Sequence, residues 1–349
     1  MRHPIQTGLC AYGMSGQIFH APFLSCMEEF DFVAVTERHT KKAGARYPQV
    51  TSYASVDEML NNPELELIIV NTPNVTHFEY AKNALLAGKH VVVEKPFAAT
   101  DEEAKILVNL AKEQSKSLMV YQNRRWDSDF KIVKKVIEEK KLGSLIEANI
   151  HYDRYKMEPS AKKHKEKADP GVGLIYDLGP HIIDQAIALF GKPKAVFARV
   201  QHHRPESLVD DYFSIQLLYP NFNCTLKSSL LVREQGPGYI LHGTEGSFLK
   251  SRSNFQEDRL KEGISPCNSD WGEEPEEDKG LLHTTQEGET IRQYISSPKG
   301  DYKGFYKAVY QHIREGQPFP IPLSDVLLNM RIIEAAIKSQ ENKMVVNLD

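Results

Sequence analysis

No long apolar run occurs in this sequence of 349 residues. A membrane-spanning helix needs about 20 consecutive, mostly apolar residues, and no segment approaches that length. The first residues, MRHPIQTGLCAYG, also lack the apolar core of a secretion signal. We therefore expect a cytoplasmic protein with no membrane-bound segment.

Cysteine is scarce and scattered, and neither sign of charge dominates. None of the four cysteines, Cys10, Cys26, Cys224 and Cys267, belongs to a Cys-x-x-Cys pair. This pattern argues against a zinc ribbon or a disulfide framework and predicts reduced thiols. The net charge of -4 gives no indication of a nucleic-acid partner, and we expect none.

Up to residue 122, apolar strand-like runs alternate with helix-like segments. Thr100 and Glu103 have the spacing of a capping box at the start of one predicted helix. Continuous apolar strands that alternate with helices are typical of a parallel sheet covered on both faces. We predict an α/β domain over residues 1–122, with strands in TGLCAY, FDFVAVTE, LELIIVNTP, KHVVVEKP and KSLMVYQN.

The pattern changes in residues 123–349. Long segments with period-two alternation follow one helix, and they predict a second α/β domain with a large, open, mostly antiparallel sheet. Residues 250–300 are predicted to form loops and weak strand, with the acidic run EEPEED as a solvated surface. The closing helices, FYKAVYQHIREG and SDVLLNMRIIEAAIKSQ, are candidates for packing back onto the first domain.

The turn after the first strand, AYGMSGQIFHAP, matches the dinucleotide fingerprint G-x-G-x-x-G except at Ala11. Gly13 would let the backbone approach a pyrophosphate, and Gly16 would let helix and strand pack closely. Met14 and Ser15 lie between them, where helix N–H groups can bind phosphate. A plain tight turn is the alternative interpretation. In this alternating context we predict a Rossmann domain that binds NAD or NADP.

Glu37 and Arg38 follow the second strand and leave the choice of cofactor open, with a slight preference for NAD because a carboxylate at Glu37 would repel a 2'-phosphate. A carboxylate there can bind the ribose hydroxyls of NAD, whereas a nearby arginine can bind the 2'-phosphate of NADP. Ligands of such sheets bind outside the carboxyl ends of the strands. The other residues predicted to bind cofactor are therefore Thr72, Pro73, Asn74, His77, Glu94, Lys95 and Asn123.

The stretch IYDLGPHIIDQAIALFG places two acids and a histidine on one face of an otherwise apolar helix. Burying Asp177, His181 and Asp184 is costly unless they are paired or used. We predict that the helix begins at Gly179, with Asp177 before it and His181 in its first turn. Asp184 is expected to pair with a basic neighbour. A metal site is the rival, but no second ligand cluster supports one, and we expect no metal.

Several further residues are candidates for binding substrate. Arg125 and Trp126 follow the fifth strand, where an arginine could equally bind phosphate or lock the domains together. Asp153 and Tyr155, with Arg154 between them, end a later strand and could reach a polyol, or could be an exposed strand end. The run KKHKEK, residues 162–167, is a solvated loop or a segment that closes over substrate.

Five motifs occur in order along the chain: A-Y-G-M-S-G-x-x-x-H-A-P, T-P-N-x-x-H, G-K-H-V-V-V-E-K-P, Q-N-R-R-W-D and Y-D-L-G-P-H-x-x-D. Together they resemble the glucose–fructose oxidoreductase/inositol dehydrogenase (Gfo/Idh/MocA) family of NAD(P)-dependent enzymes. Within the family, the bacterial scyllo-inositol dehydrogenase-like members share the R-R-W-D and Y-D-L-G-x-H stretches. The resemblance covers essentially the whole chain.

The resemblance implies a catalytic set of Lys95, Asp177 and His181. It also implies hydride transfer between nicotinamide and a secondary alcohol or ketone of a sugar or cyclitol. The open sheet of the second domain is implied to mediate a homodimer or homotetramer. Ala11 departs from the usual first glycine. The alternative from another class is a non-catalytic sensor or scaffold that binds NAD(P) without turnover.

Overall fold

The computed structural model describes residues 3–160, 166–169 and 171–348. Most of the KKHKEK run therefore lies outside the described residues. Two units are distinguished: the first comprises Met1–Asn123, Phe255–Trp271 and Asp301–Val326, and the second comprises Arg124–Asn254, Gly272–Gly300 and Leu327–Asp349. The first unit thus takes in two segments beyond the predicted boundary at residue 122, including the first of the two closing helices.

The elements alternate between strand and helix in the first part of the chain. The strands are β1 Ile5–Leu9, β2 Phe30–Thr36, β3 Thr51–Tyr53, β4 Leu67–Val70, β5 His90–Val93, β6 Leu118–Val120, β7 Leu145–His151, β8 Ala195–Gln201, β9 Tyr212–Leu218, β10 Asn223–Ser229, β11 Tyr239–Gly243, β12 Gly246–Lys250, β13 Gly280–Gln286, β14 Glu289–Ile295 and β15 Val346–Asn347. The helices are α1 Ala21–Cys26, α2 Ala43–Arg46, α3 Val56–Leu60, α4 His77–Leu86, α5 Asp101–Glu113, α6 Ser128–Glu138, α7 Leu174–Asp177, α8 Gly179–Phe190, α9 Phe255–Lys261, α10 Lys303–Glu315 and α11 Leu323–Asn342. No helix of the described residues is long and apolar enough to cross a membrane.

The first unit contains a parallel sheet of six strands in the order β3-β2-β1-β4-β5-β6. This is the strand order of a dinucleotide-binding Rossmann fold, as predicted. Five of the strands were predicted from the sequence. Strand β3 was not, because its residues Thr51–Tyr53 are exposed or half-buried and form no apolar run. The predicted capping box begins α5: Glu103 N–H donates to Thr100 Oγ1 at 3.1 Å.

Aromatic residues of α10 complete the core of the first unit. The Tyr306 ring stacks on Phe23 with centroids 4.9 Å apart, and its hydroxyl donates to the Phe19 carbonyl at 2.6 Å. A further link is a disulfide between Cys26 and Cys267. The expectation of four reduced thiols is therefore wrong for this pair, and the cysteine pattern gives no support to a reducing compartment. The sequence separation of 241 residues hid the pairing.

The second unit is built on a sheet of nine strands, in the order β14-β13-β12-β11-β7-β10-β9-β8-β15. All its neighbouring strands are antiparallel except β7 and β10, which are parallel. The predicted large and mostly antiparallel sheet is thus confirmed. One face packs against helices, and the side chains of Phe213, Leu226, Leu241 and Phe248 are fully buried on it.

Residues 250–300 are more regular than predicted. They contain α9 and the hairpin β13–β14, which turns at Glu287 and Gly288, both with positive φ. The acidic run is not uniformly solvated, because Glu274 is 5% exposed and lies 2.7 Å from the buried Lys250 ammonium. The expectation of a solvated surface holds for the exposed Glu273, Glu276 and Glu277, but not for Glu274, whose partner Lys250 lies on β12.

Candidate active site

The fingerprint turn is held by Asn71, which follows β4. Its side chain accepts from Ala11 N–H at 3.0 Å and donates to the Ala11 carbonyl at 2.8 Å. A Cβ on Gly16 would lie 2.3 Å from that carbonyl, so only glycine fits this close approach. The two hydrogen bonds from the Asn71 side chain thus fix the backbone of Ala11, the position where the fingerprint departs from glycine.

Gly13 has a different environment from Gly16. A Cβ at Gly13 would meet nothing within 4 Å, so the chain itself does not require glycine there. Met14, beside it, is 53% exposed, and a π-helical turn over Gly16–His20 leads into α1. The open backbone at the start of a helix fits a dinucleotide pyrophosphate, which needs both room and N–H donors.

Ser15 links the fingerprint turn to the end of β5. Its hydroxyl donates to Glu94 at 2.7 Å, and His20 lies 3.0 Å from the same carboxylate oxygen. Burial raises the pKa of Glu94, but hydrogen bonds from His20 and Ser15 and the charge of Lys95 outweigh it and lower the pKa. Glu94 is therefore ionised, and its carboxylate is hydrogen-bonded to other side chains of the protein. The sequence analysis missed His20, which carries no local signal.

His77 connects the loops that follow β4 and β5. Its two ring nitrogens lie 2.9 Å from the Thr72 carbonyl and 2.8 Å from the Pro96 carbonyl, and burial lowers its pKa. Both polar atoms of the ring thus face the protein backbone. The structure gives His77 a role in fixing the loops, where the sequence predicted contact with cofactor.

Glu37 is buried and faces the chain that follows it. Its carboxylate accepts from Lys42 N–H at 2.7 Å and from Ala43 N–H at 3.2 Å. Its second oxygen accepts from the Ser52 hydroxyl at 3.0 Å. The expected ribose-binding carboxylate is therefore engaged in holding the loop between β2 and α2.

Arg38, the next residue, points the other way. It is exposed, and its guanidinium donates to the Tyr80 hydroxyl of α4 at 2.6 Å. The residues after it, His39, Lys41 and Lys42, are also exposed. The loop after β2 thus presents cations to solvent while its one carboxylate is turned inward.

The remaining predicted residues of the first unit lie at the ends of strands. Thr72, Pro73 and Asn74 follow β4, and the Thr72 hydroxyl accepts from Thr76 at 2.7 Å. Lys95 follows β5, and Asn123 is buried at the end of the first unit. All of these lie at the carboxyl ends of the parallel strands, where ligands of such sheets bind.

The second unit contains Asp177 and His181. Helix α8 begins at Gly179, as predicted. Asp177 ends a separate short helix, α7, which the sequence did not predict. His181 is buried in the first turn of α8. The first turn of α8 is fixed by α11, because the Asn329 side chain donates to the Pro180 carbonyl at 2.8 Å. The two side chains are thus presented from a rigidly held break between two helices.

Asp184, one turn further along α8, is paired with Arg125. The guanidinium donates to both carboxylate oxygens, at 2.8 Å and 2.7 Å. The expected basic neighbour is therefore Arg125, which is also one of the residues predicted to bind substrate. Among residues 3–160, 166–169 and 171–348, no group of three or more His, Cys, Asp or Glu side chains could hold a metal.

The residues predicted at the end of β7 differ in their surroundings. Asp153 accepts from Ser229 N–H at 2.9 Å and lies 3.4 Å from the Lys227 ammonium. Tyr155 is 44% exposed and lies under the Arg233 guanidinium, 4.0 Å from its ring centroid. Trp126 lies in a short 3-10 turn before α6. Asp153 thus pairs with a lysine of β10, and Tyr155 contacts an arginine in the loop that follows β10.

Asp210 holds the start of α7 and was missed by the sequence analysis. Its carboxylate accepts from Ile175 N–H at 2.7 Å, and its carbonyl accepts from Leu174 N–H at 3.0 Å. Gly173 has φ of 116°, and a Cβ there would lie 1.9 Å from the Asp210 carboxylate. The glycine before α7 was the only local hint of this close approach.

Comparison with known proteins decides the family. A family model described as the NAD-binding Rossmann fold of an oxidoreductase family matches residues 5–122, and the model of its C-terminal alpha/beta domain matches residues 134–348. The chain belongs to the Gfo/Idh/MocA family of oxidoreductases. The expected resemblance and the predicted two-part fold are confirmed, and the chain is an NAD(P)-dependent oxidoreductase.

Relatives in this family cover the whole chain. The scyllo-inositol 2-dehydrogenase (NADP(+)) IolW of Bacillus subtilis is 37% identical, over 99% of this chain and 96% of that one. An oxidoreductase of Bacteroides fragilis is 45% identical, with a TM-score of 0.91 over 99% of this chain and 100% of that one. A levoglucosan dehydrogenase, solved with NADH and levoglucosan, shares the fold at 21% identity, with a TM-score of 0.81 over 99% of each chain.

Proposed function

We propose that this chain is an NADP-preferring dehydrogenase or reductase acting on a secondary alcohol or ketone of a cyclitol or sugar. The observation that carries the reaction type is the presentation of Asp177 and His181 at the break between α7 and α8, while Asp184 is already engaged by Arg125. The full-length similarity to a scyllo-inositol 2-dehydrogenase supports the substrate class.

Three side chains are proposed to carry the reaction. When bound, the nicotinamide supplies a site that accepts or donates a hydride. His181 removes the hydroxyl proton of the alcohol, since an imidazole titrates near neutral pH. Asp177 orients the substrate or the imidazole, and Lys95 stabilises the negative charge that develops on the substrate oxygen. No metal is needed for these roles.

The cofactor is proposed to be held by the fingerprint turn and by the strand ends. Its contacts are Gly13, Met14, Ser15, Gly16, Arg38, Thr72, Pro73, Asn74, Lys95 and Asn123. We propose that Glu37, His77 and Glu94 do not contact the cofactor but hold the loops that do, because their polar atoms are hydrogen-bonded to the protein.

Arg38 and Glu37 together support the preference for NADP. A carboxylate facing the ribose would repel a 2'-phosphate, but the Glu37 carboxylate faces two backbone N–H groups and a hydroxyl of the protein instead. Arg38 is fixed by Tyr80 beside a loop rich in cations. A guanidinium suits a phosphate better than any other side chain, since its donors match the phosphate oxygens.

A second copy of this chain is the proposed partner of the open sheet face. Ile240, Leu249, Leu281 and Tyr294 lie directly opposite one another across four strands, forming an apolar row. Tyr294 is 63% exposed. Light scattering should give a dimer or tetramer, and Leu281→Lys should shift it toward monomer because it buries a charge in the contact. A monomeric parent protein would overturn this part of the proposal.

A screen of polyols tests the reaction. scyllo-Inositol, myo-inositol and D-glucose are incubated separately with NADP and NAD, and the absorbance of the reduced cofactor is followed. We expect reduction of NADP with at least one polyol, fastest with an inositol. Tight cofactor binding, with no reduction of NADP or NAD by any polyol and no oxidation of NADPH or NADH by the corresponding ketones, would favour the sensor or scaffold.

A further inference from the structure

The chain beyond β7 stays extended beside β10. Tyr152 N–H donates to the Lys227 carbonyl at 3.0 Å, and Arg154 N–H donates to the Ser229 carbonyl at 2.9 Å. Successive side chains of an extended segment point to opposite faces, so Tyr152 and Arg154 share one face. Asp153 therefore lies on the other face, where its partner Lys227 is found.

Three guanidinium groups surround the buried ring of Tyr152. Those of Arg124 and Arg154 each lie 5.2 Å from its centroid, and that of Arg252 lies 5.0 Å away. The negative face of the ring attracts cations and holds their side chains in place. Each of these positive charges still needs acceptors for its N–H groups, because a guanidinium has five donors.

Two of the three arginines find those acceptors within the protein. Arg124 lies 3.2 Å from the Asp127 carboxylate, and Arg252 donates to the His151 carbonyl at 2.7 Å. Arg154 differs: within the part of the chain that the structure describes, its guanidinium lies over the Tyr152 ring and forms no ion pair with a carboxylate. Most of its donors are thus available to a ligand.

Helix α7, which ends at Asp177, packs against β10, and the chain at Arg154 runs beside the end of that same strand. Burial lowers the pKa of Arg154, but the interaction with Tyr152 and the charge of Asp177 outweigh it and raise the pKa. The guanidinium is therefore a permanent cation, held half-buried near the proposed catalytic carboxylate. The Arg154 guanidinium, which only donates hydrogen bonds, and the Asp177 carboxylate, which only accepts them, thus lie close to each other on the same unit.

We propose that Arg154 binds substrate, donating hydrogen bonds to the hydroxyl group next to the carbon that is oxidised. This inference rests on the proposed function and names the feature of the substrate that the site selects. A hydroxyl both donates and accepts, so a polyol with neighbouring hydroxyls can accept from Arg154 and donate to Asp177. A simple alcohol cannot do so, because its one hydroxyl is the reacting group and gives its proton to His181.

Substitution of Arg154 tests the contact. Arg154→Met keeps the length and the apolar stem but removes the donors, and Arg154→Lys keeps the charge without the planar fork. With the best polyol of the screen, Arg154→Met should raise KM about 10- to 100-fold, the range for losing a charge-assisted hydrogen bond. Arg154→Lys should recover part of the loss, and Kd for NADPH should stay within about twofold.

Arg199 provides a matched control, because it is an exposed arginine on β8 of the same sheet. Arg199→Met should leave KM, kcat and Kd for NADPH unchanged. Thermal unfolding of every variant shows whether the chain is folded. A folded Arg154→Met protein whose KM equals that of the parent would overturn the inference.

A deoxy substrate separates direct contact from a general disturbance of the site. The monodeoxy form of the same polyol, lacking the hydroxyl beside the oxidised carbon, is compared in the parent and in Arg154→Met. If Arg154 binds that hydroxyl, the parent loses about 10-fold or more in kcat/KM on the deoxy compound, and Arg154→Met loses little further. Equal losses in both proteins contradict the contact.

The result also separates this inference from the proposed function. If the parent neither binds nor oxidises any of the three polyols, the proposed function fails, and the inference fails with it. If the parent oxidises a polyol while Arg154→Met keeps its KM and its response to the deoxy compound, only the role of Arg154 is rejected.

Discussion

The Arg125 guanidinium and the Asp184 carboxylate form a two-pronged ion pair with N···O distances of 2.8 and 2.7 Å. Both side chains are nearly buried, and 59 residues separate them in the sequence. The pair ties the turn before α6 to the helix that carries His181. It explains how an acid can be buried on the apolar helix α8.

Removing one member of this pair should be costly. Asp184→Ala leaves the Arg125 charge buried without its carboxylate, and we expect a loss of about 3–5 kcal/mol in the free energy of unfolding. The double variant Arg125→Met with Asp184→Ala should regain much of that loss. Urea denaturation measures both. Glu138→Ala, in an exposed pair with Lys134, is the control and should cost under about 1 kcal/mol.

His181→Ala tests the proposed proton acceptor. Turnover should fall by roughly 10²–10⁴, the usual contribution of general acid–base catalysis. Kd for NADPH should change little, since the proposed cofactor contacts are on the first unit. The exposed His202 serves as control, and His202→Ala should keep full activity. Near-full activity in a folded His181→Ala protein would mean that the polar face of α8 is structural.

Gly13→Val tests the pyrophosphate cradle. Because a Cβ at Gly13 meets nothing within 4 Å, the variant should fold with a melting temperature close to that of the parent. NADPH affinity should nevertheless fall more than about 100-fold, because a branched side chain occupies the space of the pyrophosphate. Gly236→Val, at another open glycine, should bind NADPH normally. Unchanged affinity in Gly13→Val would refute the fingerprint assignment.

Arg38→Ala should alter the choice of cofactor. Loss of a charge-assisted contact with the 2'-phosphate should raise Kd for NADPH about 10- to 100-fold and leave Kd for NADH nearly unchanged. Titration of both cofactors at one salt concentration measures the ratio. Arg292→Ala, on the exposed strand β14, provides the control. If the parent prefers NADH, the proposed preference for NADP is wrong.

Asp210 should make stability depend on pH. Burial, assisted by the charge of Asp211, raises its pKa to about 7 against the hydrogen bond from Ile175 N–H. The folded chain therefore keeps a proton that the unfolded chain releases above about pH 4. The unfolded state binds fewer protons in this range, so the free energy of unfolding falls as pH rises from about 4 to 7.

Asp210→Asn isolates this contribution. The amide cannot ionise but retains an acceptor for Ile175 N–H, so its stability should vary less with pH. Relative to the parent, the variant should gain up to about 4 kcal/mol between pH 4 and pH 8. Urea denaturation at several pH values measures the difference. A constant difference between the two proteins across this range would show that Asp210 does not titrate as stated.

The sequence determined the elements and their general arrangement. Apolar period and length predicted five strands of the parallel sheet and most of the large antiparallel one, since these depend on local pattern. The fingerprint turn and the strand ends also predict a ligand-binding edge, because parallel strands present their carboxyl ends at one edge. Ordered motifs over the whole chain predicted the family, which the comparisons confirmed.

Tertiary structure decided what each polar side chain meets. Glu37 turns to backbone N–H groups five and six residues ahead, and Arg125 reaches Asp184 across 59 residues. The pairing of Cys26 with Cys267 spans 241 residues, so neither spacing nor composition could indicate it. Period and propensity are local quantities, whereas the partner of a buried charge is set by the packing of elements distant in the chain.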